Sequence, residues 1–163
     1  MRVAIAHNTF GCTVAASIKS LLQELGHQLL DFGDPSPQTD YVDLAFFAGQ
    51  TIRTNQADRA ILICALGLST AIAANKIKGL YAAPCYDKFE AHIARSKFNI
   101  NVLCLSDRWT NPQDAHNIVS EWLKTPFEKR PNDLRSINKI KEVETQQLSP
   151  FLPGMESGQS RVG

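Results

Sequence analysis

An α/β fold is predicted for this chain: a five-stranded parallel sheet with helices on both faces and an extra helix at the C-terminus. Three observations predict it. Short β-rich apolar runs alternate with segments of helical period five times along the sequence, an order that builds a parallel sheet through right-handed crossovers. The run Ile61 to Lys76, ILICALGLSTAIAANK, passes from strand to helix through a turn that carries Cys64. The composition, 163 residues of which 44% are hydrophobic, suffices for one full core: a single domain over residues 1–147 and a tail over 148–163.

Arg2 to Ala6 reads as the first strand, followed by a turn from His7 to Gly11. A helix is expected from about Thr13 to Leu25, with Val14, Ile18, Leu21, Leu22 and Leu25 on one face and Gly26 as its C-cap. Gln28 to Phe32 is the second strand. Pro35 and Pro37 then exclude regular structure before a helix from about Asp40 to Thr54. The third strand, Ala60 to Cys64, is too short and too β-rich to be a helix. The Ala-rich segment from Ala71 to Lys76 is the helix after it, with Ser69 or Thr70 able to cap it. Leu80 to Ala83 is the fourth strand after the break at Gly79, and Asp87 to about Lys97 is the next helix. A fifth strand, Asn101 to Leu105, and a helix from Pro112 to Leu123 complete the alternation, the proline fitting a first helical position that needs no N–H. Beyond them, Asn132 to Gln147 carries Leu134, Ile137, Ile140 and Val143 at helical spacing, an amphipathic helix that either packs back on the chain or docks on a second subunit. Leu148 to Gly163 is rich in Pro, Gly and Ser and is expected to be disordered.

In such a sheet, ligands bind beyond the carboxyl ends of the strands. Those ends carry His7-Asn8-Thr9, the loop near Tyr41, Cys64 to Ser69, Cys85-Tyr86 and Ser106-Asp107-Arg108. A helix starting just after Cys64 turns free N–H groups and a positive dipole end toward the thiol, so Cys64 is a candidate thiolate base beside an anion-holding loop. The alternative is that Cys64 is a small buried hydrophobe, the commoner fate of cysteine.

Several classes are excluded. Seventeen basic against 16 acidic residues leave no electrostatic footprint for nucleic acid, and no run is long and apolar enough to cross a bilayer. The absence of GxGxxG after the first strand disfavours a dinucleotide. Cys12, Cys64, Cys85 and Cys104 lack metal-ligand spacing, so no metal site is expected. Without a signal peptide, the expectation is a reduced, cytoplasmic protein.

RVAIA at the start, GHQLLDFG, TDYVDLA, ILIC…G…IAANKIKG and NVLCL resemble the family of ribose-5-phosphate isomerase type B and the LacA and LacB subunits of galactose-6-phosphate isomerase. The resemblance covers about the first 145 residues, and the closing FEKRPNDLRSINKIKEVE is more like a LacB-type subunit. It implies a Rossmann-like αβα sandwich that dimerises with its active sites at the subunit interface. It also implies interconversion of aldose and ketose phosphates through an enediolate, with neither metal nor cofactor. Carried onto this sequence, it makes Cys64 the base and the backbone of Ala65, Leu66, Gly67, Leu68 and Ser69 the oxyanion loop. Tyr41 becomes a substrate contact, and Arg108, Arg130 and Arg135 become phosphate ligands, a task that suits the guanidinium fork.

The departures are as informative. Asn8-Thr9 stands where the family has the Asp-His pair that opens the sugar ring, and neither residue is an acid or base at neutral pH. Ala65-Leu66-Gly67-Leu68-Ser69 replaces Gly-Thr-Gly-x-Gly, losing a hydroxyl and two glycines. Lys97 takes the place of the family's acid histidine, which LacB-type subunits also lack, and Phe98 stands where Asn is common. His7 is either a displaced substitute for the lost imidazole or a structural histidine. Two functions follow. One is an isomerase of altered specificity acting on an open-chain sugar phosphate such as a tetrulose phosphate. The other is a non-catalytic helper subunit that binds a sugar phosphate or a catalytic partner. A flavodoxin-like domain with another ligand is a third possibility that the fold alone permits. The expected assembly is a homodimer or tetramer, or a hetero-oligomer with a related isomerase subunit.

Overall fold

Strands β1 (Arg2–His7), β2 (Gln28–Asp31), β3 (Arg59–Cys64), β4 (Ala82–Pro84) and β5 (Val102–Ser106) form one sheet in the order β2-β1-β3-β5-β4, every pairing parallel. The computed structural model describes residues 1–33, 36 and 38–145. The predicted tail, 148–163, and the last two residues of the predicted C-terminal helix lie outside that range. Helices α1 (Cys12–Glu24), α2 (Tyr41–Arg53), α3 (Leu68–Ala74), α4 (Lys88–Phe98) and α5 (Pro112–Lys124) each follow a strand, and α6 (Pro131–Thr145) lies beyond the sheet.

Alternation along the buried strands sorts side chains onto two faces. Val3, Ile5, Ile61, Ile63, Leu103 and Leu105 face Val14, Ile18, Leu22, Ile118 and Trp122 of α1 and α5. Ala4, Ala6, Leu62, Cys64, Val102 and Cys104 face Leu44, Ala45 and Ala48 of α2 and Ala71 and Ala74 of α3. Small residues dominate this second face, so α2 and α3 come close to the strands that carry Cys64. No described helix is long and apolar enough to cross a membrane.

Local chemistry explains the element ends. Gly26, at φ 70°, stops α1 with Gly26 N–H donating to Gln23 O and His27 N–H to Leu22 O, the paired closure that a left-handed residue permits. Asp40 and Asp43 cap α2 reciprocally, and Asn111 caps α5 ahead of Pro112. Three expectations need correction. Neither Ser69 nor Thr70 caps α3: the helix begins at Leu68, its N-cap is Gly67 at φ 74°, and Ser69 and Thr70 lie in the first turn. The fourth strand is Ala82–Pro84 rather than Leu80 to Ala83. Leu80 N–H is taken by Ile77 O in a turn, and the Asn75 side chain bonds both N–H and O of Ala82, so the chain straightens only there. The last helix begins at Pro131 and is described to Thr145. It buries Ile137, while Leu134, Ile140 and Val143 stay substantially exposed.

Candidate active site

Cys64 ends β3 on the α2–α3 face and is only 4% exposed. Its Sγ accepts from the Gly67 N–H at 3.2 Å and lies 3.6 Å from both Ser69 Oγ and Thr70 Oγ1. Burial pushes the thiol up, but the Ser69 and Thr70 hydroxyls with the Gly67 and Leu66 N–H groups more than offset it, leaving Cys64 below the ordinary thiol value. The contrast with its neighbours is chemical. Burial pushes Cys85 up to about 12 and Cys104 well above the ordinary range. Cys12 is exposed at the start of α1.

The loop after Cys64 is braced by the loop after β5. Asp107 N–H donates to Cys64 O at 3.0 Å, Arg108 N–H to Ala65 O at 3.2 Å, and Ser106 Oγ to the same carbonyl at 2.9 Å. With their carbonyls held, Cys64 and Ala65 are fixed ahead of Gly67. The first-turn N–H groups of α3 have no acceptor within the helix, so they are donors for an incoming oxyanion. Leu68 is 45% exposed and forms an apolar edge at this loop. Tyr41, the first residue of α2, lies on the same side of the sheet and is exposed.

His7 is separated from Cys64 by the sheet. It follows Val3 and Ile5 in the alternation of β1, and its ring meets α1: Nε2 is 3.2 Å from Lys19 Nζ, and Nδ1 is 3.8 Å from Cys12 Sγ and 3.1 Å from Asn8 O. Lys19 in turn pairs with Asp31 at 2.5 Å. The imidazole is therefore buried against α1, and within one chain the structure does not bring His7 together with Cys64. Asn8 uses its side chain to cap the turn Thr9–Gly11, accepting from Phe10 N–H at 3.2 Å, and Thr9 opens that turn.

The other candidates divide by edge. Arg108 is exposed beside the Cys64 loop. Lys97 and Phe98 end α4, which runs back to the amino edge of the sheet. Arg130 belongs to the segment after α5, is tied to that edge by Glu128 N–H donating to Ser96 O, and pairs with Glu128 at 2.6 Å. Arg135 is exposed on α6. Phe98, Leu80, Tyr81, Ile140 and Val143 line a groove of about 530 Å³ at this edge. Within one chain, then, Cys64, its loop, Tyr41 and Arg108 gather at the carboxyl edge, and Lys97, Phe98, Arg130 and Arg135 do not join them.

Two aromatic side chains stand at the site, Tyr86, which the sequence places only at a strand end, and Trp109, which it does not single out. Tyr86, after β4, and Trp109, after β5, meet edge-on with centroids 6.0 Å apart, and the Tyr86 hydroxyl lies 3.5 Å from Leu66 O. The signal that finds Tyr86 is its place just past the carboxyl end of β4: Pro84 aligns with Cys104 and Ser106 with Cys64, so the three strands end close together.

Among the described residues, no cluster of three or more His, Cys, Asp or Glu side chains is arranged to hold a metal ion. The arrangement offers a thiol biased toward ionisation, backbone donors for an adjacent negative oxygen, and an arginine at the rim. The profile of the family described as Ribose/Galactose Isomerase matches residues 3–141. The putative sugar phosphate isomerase YwlF of Bacillus subtilis is 35% identical over 91% of this chain and 100% of its own. The D-erythrulose-4-phosphate isomerase of Pectobacterium atrosepticum is 32% identical over 78% of this chain and 86% of its own. The crystal structure of ribose-5-phosphate isomerase B from Mycoplasma genitalium with bound ribulose-5-phosphate superposes with a TM-score of 0.84 at 34% identity, covering 89% of this chain and 97% of that one. The chain belongs to the Ribose/Galactose Isomerase family of sugar-phosphate aldose–ketose isomerases.

Proposed function

We propose that this protein isomerises a short, open-chain sugar phosphate, with Cys64 as the base. The observation that carries the reading is the Cys64 thiol at the strand end, with the Gly67 N–H and two hydroxyls turned to it. The Cys64 thiolate takes the proton from the carbon beside the carbonyl, leaving a thiol and an enediolate. Donors of the Ala65–Ser69 loop hold the negative oxygen. The hydroxyl proton passes from one oxygen to the other, and the Cys64 thiol returns its proton to the neighbouring carbon. Atoms and electrons balance within the sugar.

The substrate class follows from what the first loop lacks. Asn8 caps a turn, Thr9 does not titrate near neutral pH, and His7 lies behind the sheet, so nothing there opens a ring. A tetrose phosphorylated at C4 has no free hydroxyl with which to close a five-membered ring. D-erythrulose 4-phosphate therefore reaches Cys64 already linear, and the similarity to an enzyme named for that ketose supports the choice. Lys97, Phe98, Arg130 and Arg135 serve the site of a second copy: they lie at the opposite edge of their own sheet, three of them with cationic ends suited to phosphate.

The test is a panel of tetrose, pentose and hexose phosphates with the wild type and Cys64→Ala, alongside light scattering of the purified chain. D-erythrulose 4-phosphate should turn over well, ribose 5-phosphate poorly, and Cys64→Ala not at all, with a mass of at least two chains. Efficient turnover of ribose 5-phosphate, or activity that survives Cys64→Ala, overturns the mechanism.

A further inference from the structure

We propose that the Tyr86 hydroxyl is a second polar contact for the reacting sugar, donating to an oxygen of the enediolate, and that Trp109 is the positioning residue that holds it there. The inference rests on the reading of Cys64 as base. Four observations carry it.

The first is placement. Cys64 and Ser106 are register partners at the ends of β3 and β5, Tyr86 stands two residues past the end of β4, and its phenol reaches Leu66, two residues beyond Cys64. The second is looseness. At 3.5 Å from the Leu66 carbonyl, the hydroxyl makes a long contact that is cheap to exchange for a charged oxygen, and Tyr86 is 37% exposed, so an incoming ligand can reach it.

The third is bracing. The Tyr86 N–H is fixed by Glu90 Oε2 at 2.7 Å, and the Trp109 N–H by Ser106 Oγ at 3.1 Å, the same hydroxyl that grips Ala65 O. The edge of one ring against the other, at 62°, confines the phenol without using its oxygen. The fourth is compensation. The loop bears Leu66 where the resemblance leads one to expect a threonine, so it lacks a side-chain hydroxyl at that position, and the Tyr86 oxygen stands beside that residue's backbone. Burial, then Glu90 and Cys64, keep the phenol above the ordinary tyrosine value, so it remains a donor when Cys64 is ionised.

The experiment compares wild type, Tyr86→Phe, Trp109→Ala, the double variant and Cys64→Ala on D-erythrulose 4-phosphate. Tyr86→Phe keeps the ring and loses only the hydroxyl. It should lower kcat by about tenfold to a hundredfold, the range for one hydrogen bond to a charged oxygen, with KM and melting temperature little changed. Trp109→Ala should lower kcat in the same sense, and the double variant should be no worse than Tyr86→Phe, because the indole acts through the phenol. A Tyr86→Phe enzyme within about twofold of wild type, while Cys64→Ala is dead, overturns this assignment and leaves the Cys64 mechanism standing. Full activity in Cys64→Ala overturns both. If the wild type does not turn over the ketose, calorimetric titration with 3-phospho-D-glycerohydroxamate, an analogue of the four-carbon enediolate, decides. Binding weakened about tenfold in Tyr86→Phe supports the contact, and equal binding, or none to either protein, overturns it.

Discussion

Replacing Gly67 by Ala perturbs fold and chemistry at one atom. Gly67 sits at φ 74°, and a Cβ built there lies 3.1 Å from the Leu105 carbonyl carbon, with Leu105 O and Ser106 N at 3.3 Å. Those atoms are backbone of a strand buried on both sides, and they cannot swing aside. The left-handed backbone costs a non-glycine residue about 1–2 kcal/mol. Crowding against fixed backbone adds about 1–3 kcal/mol, the range for overpacking a core. The total, about 2–5 kcal/mol, corresponds to a fall in melting temperature of roughly 5–15 °C for a chain of this size. The second effect is local. The Gly67 N–H is a 3.2 Å donor to Cys64 Sγ, and tilting it away removes one of the groups that hold the thiol down. Scanning calorimetry reads the first effect. The pH dependence of iodoacetamide alkylation at Cys64, followed by peptide mapping, reads the second and should move upward. An alanine variant that melts within about 1 °C of wild type, with an unchanged alkylation profile, would refute the argument from the turn.

Two further predictions concern the thiols. Ser69→Ala removes the largest of the contacts that lower Cys64, so its pKa rises toward the ordinary thiol value. Since the active form is the thiolate, kcat/KM should drop near pH 7 and recover toward pH 9; a parallel loss at all pH values would show that Ser69 acts otherwise. In the native protein, iodoacetamide should reach Cys12, which is exposed, and Cys64, which is biased toward thiolate, before Cys85 or Cys104. D-erythrulose 4-phosphate should protect Cys64 and not Cys12, and modification of Cys104 ahead of Cys64 would contradict the assignment.

Element order is legible in the sequence wherever period and punctuation agree. Alternating runs and the Gly26 stop locate β1, α1 and β2 within a residue or so, because each signal is local. The start of α3 is different. Ser69 and Thr70 look like caps, yet their hydroxyls lie within reach of Cys64, and Gly67 makes the turn because its φ is open to it. Local propensity and the site compete there, and the site prevails. The edge strand β4 starts late because the Asn75 side chain holds Ala82, a contact that only the assembled fold creates. His7 shows the sharpest limit. Its position in the chain is right for a site residue, but strand parity turns it toward Lys19, and parity is fixed by the register of β1 with β3. Lys97, Arg130 and Arg135 illustrate another limit: sequence motifs mark them, but the topology of one chain carries them to the far edge.

The strand order β2-β1-β3-β5-β4 also governs what a ribosome releases. The first strand made is central, and it needs β3, ending at residue 64, before both its edges are satisfied. The strand β4 emerges before its partner β5, so during synthesis it waits for residues 102–106 while β3 keeps an open edge. Pairings this distant in sequence close slowly. A truncated chain that stops before residue 102 therefore carries an unpaired β4, bearing Pro84, and one open edge on β3, bearing Cys64, and it presents these edges to other nascent chains. Chaperone demand should peak over that stretch of translation and end once the fifth strand slots between its neighbours.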